Sequence, residues 1–527
     1  MGKGLSKRRK KWIERTVSND RSYKIVLYNR LFLFLLSVVL QLTAYALLIW
    51  SFAYDSAIGF ALQITAGVLA IIFVVYLLNA SDNPSMRMNW IVVILIAPVF
   101  GVPMYLFNGR GAPTRKLRRK LQNAKLEICQ AVQSQGVQTS APADGSMAVV
   151  EKLGGFPVYT DGEVHYYPSG EDAFVDMLAE LNKAEKYILM EYFIIAHGKM
   201  WGEILKIVLE KAMQGVQVRI VYDDFGCMVT LPPDYEKYLE SLHENIKCVT
   251  FNDVVPVFAV RMNNRDHRKM LIIDGKTAFT GGINLADEYI NEKKRFGYWK
   301  DSAVQVTGSA VRSFVTAFFT VWNAVYKERE DVVAYLPPVK EQDERIKTRI
   351  QPYDDSPLDS VPIAETAYAE MIREAKNYVW ICTPYLVLDD KMRETLCLAS
   401  LRGVDVRIVT PSIPDKKTTY RLTRANYDVL LRSGVRIYEY TPGFIHAKSI
   451  LCDDCRAIVG TVNFDYRSFY HHFENAVAFS MCDAVIHLKK DCENTFAQSK
   501  EITKENYKKS PFGRVFDAVL RAFETLF

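Results

Sequence analysis

The strongest apolar signal in the chain lies near its start. Residues 31–52 and 58–78 are uncharged runs of 22 and 21 residues, each long enough to cross about 30 Å of hydrocarbon as a helix. The first run is too long for a cleaved signal peptide and the second follows at once, so both are predicted to be uncleaved spans. A third apolar stretch, residues 90–107, contains helix-interrupting prolines. We expect it to be a re-entrant or interfacial hairpin, with a third full span as the alternative, in a membrane segment covering residues 31–107.

Basic residues flank this apolar region on both sides. Ten Lys and Arg occur in residues 1–30 against two acids, and seven occur in residues 110–125 with no acid. Because basic flanks stay on the cytoplasmic side, two spans place both flanks there, whereas three would separate them. Residues 1–30 are therefore predicted to be a basic cytoplasmic N-terminus, and residues 108–150 a basic linker. Positive charge beside apolar runs favours anionic membrane lipids over nucleic acid as the partner.

After residue 150 the pattern changes to helices alternating with strands. The chain predicts helix, strand, helix and strand in turn, near residues 174–181, 187–195, 201–214 and from 216. The same order returns near residues 364–375, 378–383, 391–402 and from 404. Residues 215–221 and 403–409 are identical at six of seven positions, which indicates an internal duplication. The predicted fold class is α/β, with two tandem units at residues 151–335 and 351–510 and a linker at 336–350.

Cysteine usage and the C-terminus add less. The nine cysteines show no spacing typical of a disulfide framework, which fits a reducing compartment and places the globular units on the cytoplasmic side. Cys452 and Cys455 form a lone C-x-x-C without the second pair or nearby histidines of a zinc site, so no metal is predicted. In residues 511–527 the apolar side chains share one helix face, which suits an interfacial helix and a core-packing helix equally.

One motif occurs once in each copy of the repeat. The pattern H-x-K-x4-D-x6-G-x-x-N begins at His267 and again at His446. His and Lys two residues apart leave the same face of a strand, and an apolar run continues each strand. The acidic position supplies a turn, and a returning strand brings glycine and asparagine back beside the histidine. The motif members are His267, Lys269, Asp274, Gly281 and Asn284 in the first copy and His446, Lys448, Asp453, Gly460 and Asn463 in the second.

These residue types suit the chemistry of phosphodiesters. Lys and Asn can donate hydrogen bonds to phosphate oxygens, where negative charge must be held in the transition state. One imidazole can form a covalent intermediate, while a second protonates the leaving alkoxide and then deprotonates the incoming alcohol. A carboxylate such as Asp274 or Asp453 could orient its histidine or offset the lysine charge. The competing interpretation, core histidines beside structural lysines, is disfavoured because lysine is rarely buried without a partner.

The two copies resemble the paired motifs of the phospholipase D superfamily. The resemblance implies two sandwich domains, each a mixed sheet flanked by helices, that pack about a pseudo-twofold axis and share one active site. It also implies a phosphatidyl-histidine intermediate and no metal or other cofactor. By analogy His267 is assigned as the nucleophile and His446 as the general acid and base, although the sequence allows the reverse. His471 and His472 rank below this pair.

Segments that follow the motifs extend the resemblance. Glu474 after the second motif, and residues 298–301 after the first, are similar to the family's motif extensions, with simple packing residues as the competing interpretation. Family members often carry serine after the motif glycine. Here Gly282 and Thr461 occupy those positions, so a backbone donor is expected to replace the hydroxyl in the first copy. The predicted phosphate-binding or supporting residues are Asn284, Asn463, Gly281, Gly460, Thr461 and Glu474.

The order of the segments narrows the reaction. Two spans, a proline-containing apolar stretch, a basic linker and two motif-bearing halves resemble bacterial cardiolipin synthases over nearly the whole chain. The resemblance implies that two phosphatidylglycerol molecules react to give cardiolipin and glycerol, at the cell membrane, with the catalytic domains facing the cytoplasm. The enzymatic alternative is a membrane phospholipase D that uses water or another alcohol acceptor. A non-catalytic membrane scaffold is the second alternative, and a nuclease would be expected without the spans.

Overall fold

The structure of the protein, a computed structural model, describes most of the chain. The described residues are 39, 43, 57–80, 83–108, 113–134, 140–254, 264–338, 340, 342–343, 345–507, 511–521 and 524–526. The predicted basic N-terminus, residues 1–30, lies outside the described residues, as does nearly all of the predicted first span, residues 31–52.

The first half is built on a seven-stranded mixed sheet. The strands of this half are β1 (Val164–Tyr167), β2 (Tyr187–Tyr192), β3 (Gln217–Asp223), β4 (Ile246–Phe251), β5 (Lys269–Ile273), β6 (Thr277–Gly281), β7 (Tyr298–Lys300) and β8 (Ala303–Thr307). All of them except β7 belong to the seven-stranded sheet. The order across the sheet is β1-β8-β6-β5-β2-β3-β4, with β2, β3 and β4 parallel and the other pairs antiparallel. Its helices are Gly170–Asn182, Lys199–Met213, Asp224–Cys227, Tyr235–Leu242 and Val311–Val325, with 3-10 turns at Asp287–Ile290, Gly308–Ala310 and Val332–Tyr335.

The second half repeats this topology and adds one strand. Its strands are β9 (Arg349–Asp355), β10 (Tyr378–Cys382), β11 (Asp405–Pro411), β12 (Arg436–Tyr440), β13 (Gly443–Ile445), β14 (Ser449–Cys452), β15 (Arg456–Gly460), β16 (Glu474–Ser480) and β17 (Ser499–Ile502). The order β9-β16-β15-β14-β10-β11-β12 matches the first sheet strand for strand, and β17 pairs with the outer edge of β12. The helices of this half are Ile363–Glu374, Asp390–Leu401, Lys417–Arg432, Tyr466–Tyr470 and Asp483–Ala497. The structure thus confirms two mixed-sheet α/β units.

Each sheet is buried on both faces. An inner apolar cluster is shared by the two halves and includes Leu189 from the first sheet with Val459 and Val477 from the second. Helices Val311–Val325 and Asp483–Ala497 contribute to the same cluster, while separate clusters cover the outer face of each sheet. Apolar area removed from water between the halves holds them against each other, which a site built from both halves requires.

The elements predicted from the repeat are confirmed, with one early ending. Strand β2 stops at Tyr192 rather than near residue 195. The chain leaves the sheet there because the N–H of Ile194 donates to Oδ1 of Asn284 at 3.0 Å, and Ile195 forms an isolated bridge with Leu285. This departure carries the loop after β2 toward the first motif.

The predicted basic linker is largely helical. Residues 108–150 contain helix Arg115–Gln133 and the start of helix Gly145–Gly154. The first packs against Val311–Val325 of the first half, and the second against Ile363–Glu374 of the second half. Helix Arg115–Gln133 buries three residues at helical spacing, namely Leu121, Ala124 and Ile128. The many basic residues of the segment indicated a linker, because the charge pattern alone does not show this narrow apolar stripe.

Three helices precede this segment. They are Ala57–Leu78, Pro84–Ile96 and Pro98–Asn108, and they share a small apolar cluster. The stretch 90–107 is accordingly broken at Ala97 and Pro98. Within the described residues, no helix has both the length and the apolar character that crossing a membrane requires. Residues 58–78, predicted as the second span, lie in helix Ala57–Leu78, and their spanning role stays a prediction.

The C-terminal segment forms a helix, Pro511–Arg521, and a 3-10 turn, Glu524–Leu526. Asp517 accepts a hydrogen bond from Nε of Arg421 at 2.7 Å, and Leu520 packs against the small apolar cluster of Val387, Leu422 and Tyr466. These contacts belong to packing on the second half.

Candidate active site

Each motif histidine is joined to the opposite half of the molecule by its backbone. The N–H of His267 donates to the carbonyl of Phe473 at 2.9 Å, and the N–H of His446 donates to the carbonyl of Lys300 at 2.6 Å. Strands β7 and β13 also pair in parallel, which links the segment before Asp301 to the segment before His446. The two motifs therefore lie on facing edges and are held in register by hydrogen bonds between the halves.

Each histidine side chain then meets a carboxylate from the other half. Nδ1 of His267 lies 2.9 Å from Oε2 of Glu474, and Nδ1 of His446 lies 2.7 Å from Oδ2 of Asp301. All four side chains are buried. A carboxylate on Nδ1 fixes the tautomer that keeps the proton there, so Nε2 is the free nitrogen of each ring. The structure thus brings the two predicted histidines into one site with two reciprocal carboxylates.

The two motif lysines place their amino groups beside the backbone of the motif histidines. Nζ of Lys269 donates to the carbonyl of His267 at 2.5 Å, and Nζ of Lys448 donates to the carbonyl of His446. Burial lowers the pKa of Lys269 to about 7 and the pKa of Lys448 to about 8. An ammonium group held in such surroundings is stabilised by an incoming anion such as a phosphodiester.

Burial also keeps the imidazoles neutral. It lowers the pKa of His446 to about 4, with the charge of Lys448 acting in the same direction and Asp301 opposing it. Burial and the charge of Lys269 lower the pKa of His267 well below its usual value. Burial raises the pKa of the Glu474 carboxyl, which Lys269 and the Thr461 hydroxyl oppose. At neutral pH both rings are unprotonated at Nε2, the state that a nucleophile or a general base needs.

The motif asparagines lie at the ends of the same hairpins, and part of their capacity is used within the protein. Nδ2 of Asn284 donates to the hydroxyl of Tyr289 at 2.7 Å. The backbone N–H of Asn463 donates to Oγ of Ser468 at 3.1 Å. The buried Oδ1 of Asn463 accepts no hydrogen bond from any described residue. Contact of either asparagine with phosphate stays a prediction.

The motif glycines allow a neighbouring strand to approach. A Cβ atom at Gly281 would lie 2.3 Å from the carbonyl oxygen of Ser302, and one at Gly460 would lie 2.4 Å from that of Asn475. Ser302 and Asn475 directly follow Asp301 and Glu474. Gly281 and Gly460 therefore act through the placement of the two carboxylates.

The motif aspartates have a different role from the one expected. Asp274 and Asp453 sit at the turns after β5 and β14 with φ of 54° and 50°. The carboxylate of Asp274 accepts three backbone N–H groups at 2.8 Å each, from residues 185–187. Asp453 does the same with residues 376–378 at 2.7–2.8 Å. The expectation that these carboxylates orient the histidines is corrected: Glu474 and Asp301 hold that position, and the motif aspartates anchor the start of β2 and of β10.

Asp274→Ala is expected to destabilise the fold and to spare the chemistry. The change removes three hydrogen bonds from a carboxylate and leaves a left-handed backbone without the side chain that favours it, at a cost of about 2–4 kcal/mol in the free energy of unfolding. Thermal unfolding of the purified protein should show a lowered Tm, with kcat of the folded fraction close to wild type. Asp453→Ala is the matched variant and should behave alike. A collapse of kcat at unchanged Tm would restore a catalytic role for these aspartates.

The two half-sites differ at the residue after the motif glycine. In the second half, Oγ1 of Thr461 donates to Oε2 of Glu474. In the first half, a Cβ atom at Gly282 would lie 1.9 Å from Oδ1 of Asp301. Glycine thus makes room for the shorter carboxylate, whose Oδ1 accepts the N–H of Ser302 at 2.9 Å. A backbone donor does replace the missing hydroxyl in the first copy, and it comes from Ser302.

Gly282→Ala is expected to lower kcat by roughly 10²-fold, the scale of a 1 Å displacement of a catalytic group. The new methyl group overlaps Oδ1 of Asp301, which is fully buried, and the resulting displacement breaks the hydrogen bond of Asp301 to His446. Steady-state kinetics would measure the change. Gly67→Ala is the control, because nothing lies within 4 Å of a Cβ atom at that position. Full activity of Gly282→Ala would show that Asp301 can move without consequence.

The sequence missed Asp301 as a member of the site. The only signal was the resemblance of residues 298–301 to a family extension, since Asp301 lies 17 residues beyond Asn284 whereas Glu474 lies 11 beyond Asn463. The unequal spacing hides the equivalence of the two carboxylates. The pairing of β7 with β13 and the hydrogen bond from His446 to the carbonyl of Lys300 place Asp301 beside His446.

One cluster in the site has the donor atoms of a metal centre. Single ligand atoms of His267, His472 and Glu474 lie within 4.8 Å of one another. The ammonium groups of Lys269 and Lys448 belong to the same site, and their charge bears on His267. Positive charge at this position opposes a divalent cation and favours a phosphate anion. The described residues therefore fit phosphodiester binding better than metal binding.

Comparison with known proteins gives the same assignment. The sequence matches the family described as "Cardiolipin synthase, PLD-like domain" twice, over residues 177–306 and 368–497. It also matches "Phospholipase_D-nuclease N-terminal" over residues 68–110. Each PLD-like match includes one complete motif, so both halves of the site lie in matched sequence.

Named relatives cover most of the chain. A cardiolipin synthase of Geobacillus kaustophilus is 31% identical over 476 residues, which are 89% of this chain and 93% of the relative. Cardiolipin synthase 1 of Staphylococcus aureus is 32% identical over 475 residues, which are 87% of this chain and 94% of the relative. The crystal structure of a Haemophilus influenzae phosphatidylserine synthase shares the fold, with a TM-score of 0.56 at 13% identity over 72% of this chain and 100% of that chain. The chain therefore belongs to the cardiolipin synthase family of the phospholipase D superfamily and is a phosphatidyltransferase.

Proposed function

We propose that the protein joins two phosphatidylglycerol molecules to give cardiolipin and glycerol. The observation that carries the proposal is the reciprocal pairing of His267 with Glu474 and of His446 with Asp301, which makes one site from two halves. Two neutral imidazoles beside two lysines suit a double displacement at a phosphodiester. The relatives named cardiolipin synthase supply the choice of lipid.

In the first displacement, Nε2 of His267 attacks the phosphorus of one phosphatidylglycerol. The bond between phosphorus and the headgroup glycerol oxygen breaks. His446, which takes up a proton from solvent at Nε2 when the anionic phosphodiester binds beside it, gives that proton to the glycerol oxygen. Free glycerol leaves, and the phosphatidyl group stays on His267. Lys269 and Lys448 would hold the negative charge of the phosphoryl oxygens.

In the second displacement, a terminal hydroxyl of another phosphatidylglycerol attacks the same phosphorus. Nε2 of His446 takes the proton of that hydroxyl, the bond between phosphorus and His267 breaks, and cardiolipin is released. Both histidines return to their starting states. Water competes as the acceptor, so the site must hold the second lipid close or exclude water.

We also propose that the protein works at the membrane, with the catalytic halves facing the cytoplasm. Helix Ala57–Leu78 leaves six large apolar side chains 53–63% exposed, namely Ile64, Val68, Ile71, Ile72, Val75 and Leu78. Lipid would cover such a surface. At the start of the next helix, Nδ2 of Asn83 donates to the hydroxyl of Tyr470 at 2.8 Å and to Asp389 at 3.1 Å. This contact ties the N-terminal helices to the second half four residues before Glu474, and a site at the bilayer meets both lipids at high effective concentration.

The test is the identity of the products. The full-length protein in vesicles would be incubated with phosphatidylglycerol labelled in the headgroup glycerol, and the lipids and released glycerol would be separated. The expected products are cardiolipin and one free glycerol per cardiolipin. Phosphatidic acid as the sole lipid product would replace the proposal with a hydrolase. No product from any phospholipid would support the scaffold alternative.

A further inference from the structure

A third imidazole lies beside the first catalytic histidine. The ring centroids of His472 and His267 are 5.2 Å apart, with 40° between the planes. His472 stands two residues before Glu474, the carboxylate that holds His267. Its side chain is only 11% exposed, and its pKa is lowered well below the usual value by burial and by neighbouring charges, so the ring is neutral.

The second half-site has a tryptophan at the equivalent place. Trp299 stands two residues before Asp301, and its ring lies 5.3 Å from that of His446 at 45°. The intervening residues, Phe473 and Lys300, accept the equivalent backbone hydrogen bonds from the two catalytic histidines. His472 and Trp299 therefore hold equivalent places in the two half-sites, which differ in whether this neighbour is polar.

The polar neighbour is directed at the carboxylate. Nδ1 of His472 lies 3.4 Å from Oε1 of Glu474 and is buried without a hydrogen bond from the described residues. Oε2 of Glu474 accepts from the hydroxyl of Thr461 and lies 2.9 Å from Nδ1 of His267, and the hydroxyl of Ser468 also interacts with this carboxylate. Oε1 lies 3.0 Å from Nδ1 of His267. In the other half-site the second oxygen of Asp301 is already fixed by the N–H of Ser302. Glu474 has one more rotatable bond than Asp301, and its second oxygen has no backbone anchor of this kind.

We propose that His472 is a positioning residue that acts on His267 through Glu474: its Nδ1–H anchors Oε1 and so keeps the carboxylate aligned with Nδ1 of His267. The proposal rests on the proposed function only in naming His267 as the reacting group. Closing the 3.4 Å separation to hydrogen-bond length takes a shift of about 0.5 Å, and catalytic hydrogen bonds commonly tighten when substrate binds. Trp299 needs no such function because Asp301 has its own anchor.

Three substitutions separate this role from the alternatives. In His472→Asn the amide nitrogen takes the place of Nδ1, in His472→Gln it takes the place of Nε2, and in His472→Leu no donor remains. We expect His472→Leu and His472→Gln to lower kcat about tenfold, the equivalent of one hydrogen bond of about 1.4 kcal/mol, with KM for phosphatidylglycerol within about twofold. His472→Asn should retain at least half of the wild-type kcat. Rescue by Gln and not by Asn would mean that Nε2 acts on the substrate and would overturn the proposal, as would wild-type kcat in His472→Leu.

A second readout does not depend on the lipid reaction. Diethyl pyrocarbonate acylates neutral imidazole nitrogens, and mass spectrometry of the peptide that contains His267 gives the rate of its modification. The rate at His267 should fall in the Leu and Gln variants and stay near wild type in the Asn variant. His487 is exposed and serves as the internal reference. If the wild type makes no cardiolipin but this ranking holds, the proposed function fails and the positioning role stands. An unchanged rate in all three variants would refute the role whatever the reaction.

Discussion

Replacing His267 with alanine is expected to lower kcat for cardiolipin formation by at least about 10³-fold and to leave no lipid covalently bound to the protein. The imidazole of His267 is the group proposed to bond to phosphorus, because its Nδ1 is bound to Glu474 and its Nε2 is left for the attack. His446→Ala should lower kcat by roughly 10²- to 10⁴-fold, the usual range for a general acid and base. The two variants should differ in what remains on the enzyme.

A trapping experiment distinguishes the two histidines. Phosphatidylglycerol labelled in its acyl chains would be mixed with each variant, quenched with denaturant, and the protein examined for label that acid removes. Wild type and His446→Ala should carry label, and His267→Ala should carry none. His487→Ala, which changes an exposed histidine far along the chain, is the control and should match wild type. Label retained in His267→Ala and absent in His446→Ala would mean that His446 is the nucleophile and His267 is the general acid and base.

Much of the fold could be predicted because the repeat shows in patterns of neighbouring residues. Phe174 and Leu181 have helical spacing in a helix that runs from Gly170 to Asn182. The near-identical segments 215–221 and 403–409 lead into and form most of β3 and β11, which hold equivalent places in the two sheets. Period and composition are properties of neighbouring residues, so one sequence suffices to recognise them. The helix Arg115–Gln133 was missed because its apolar stripe becomes meaningful only against Val311–Val325, a partner about 200 residues away.

The candidate site shows the same division between local and distant information. His267 and His446 could be predicted because the motif is contiguous, and the structure places both in one site. The partners of their Nδ1 atoms come from the opposite half, at sequence separations of 207 and 145 residues. Asp274 belongs to the same contiguous motif as His267, yet its turn directs the carboxylate to the backbone of residues 185–187. Proximity along the chain is a poor guide to which carboxylate faces a histidine across an interface.

In each of the duplicated halves, the residues around the carboxylate differ together with the length of that carboxylate. The longer Glu474 occurs with a hydroxyl at Thr461 and an imidazole at His472, and the shorter Asp301 occurs with Gly282 and Trp299. Each set keeps a carboxylate on Nδ1 of a histidine, but through different neighbours. Exchange of a single member should therefore disturb its half-site, because the remaining members are fitted to the original side-chain length.

Asp301→Asn and Glu474→Gln are expected to lower kcat by about 10²- to 10⁴-fold, the range seen when a histidine loses the carboxylate that fixes its tautomer. An amide can donate to Nδ1, which moves the ring proton to Nε2 and removes the lone pair from the nitrogen that must react. Glu474→Gln would disable the nucleophile and should abolish labelling in the trapping experiment. Asp301→Asn would disable the acid and base, and labelling should be slow but present.

Stability identifies the cause of these losses. Each carboxylate is buried, and for Glu474 burial raises the pKa well above the usual value, so the charged form is costly to the folded state. A neutral amide of the same shape avoids that cost, and Tm of Glu474→Gln should therefore equal or exceed that of wild type. Low activity together with an undiminished Tm would show that the carboxylate serves the chemistry at the expense of stability. A loss of kcat below about fivefold in both variants, measured at saturating phosphatidylglycerol, would mean that the tautomers of His267 and His446 are fixed by other groups and that the reciprocal pairing does not carry the mechanism.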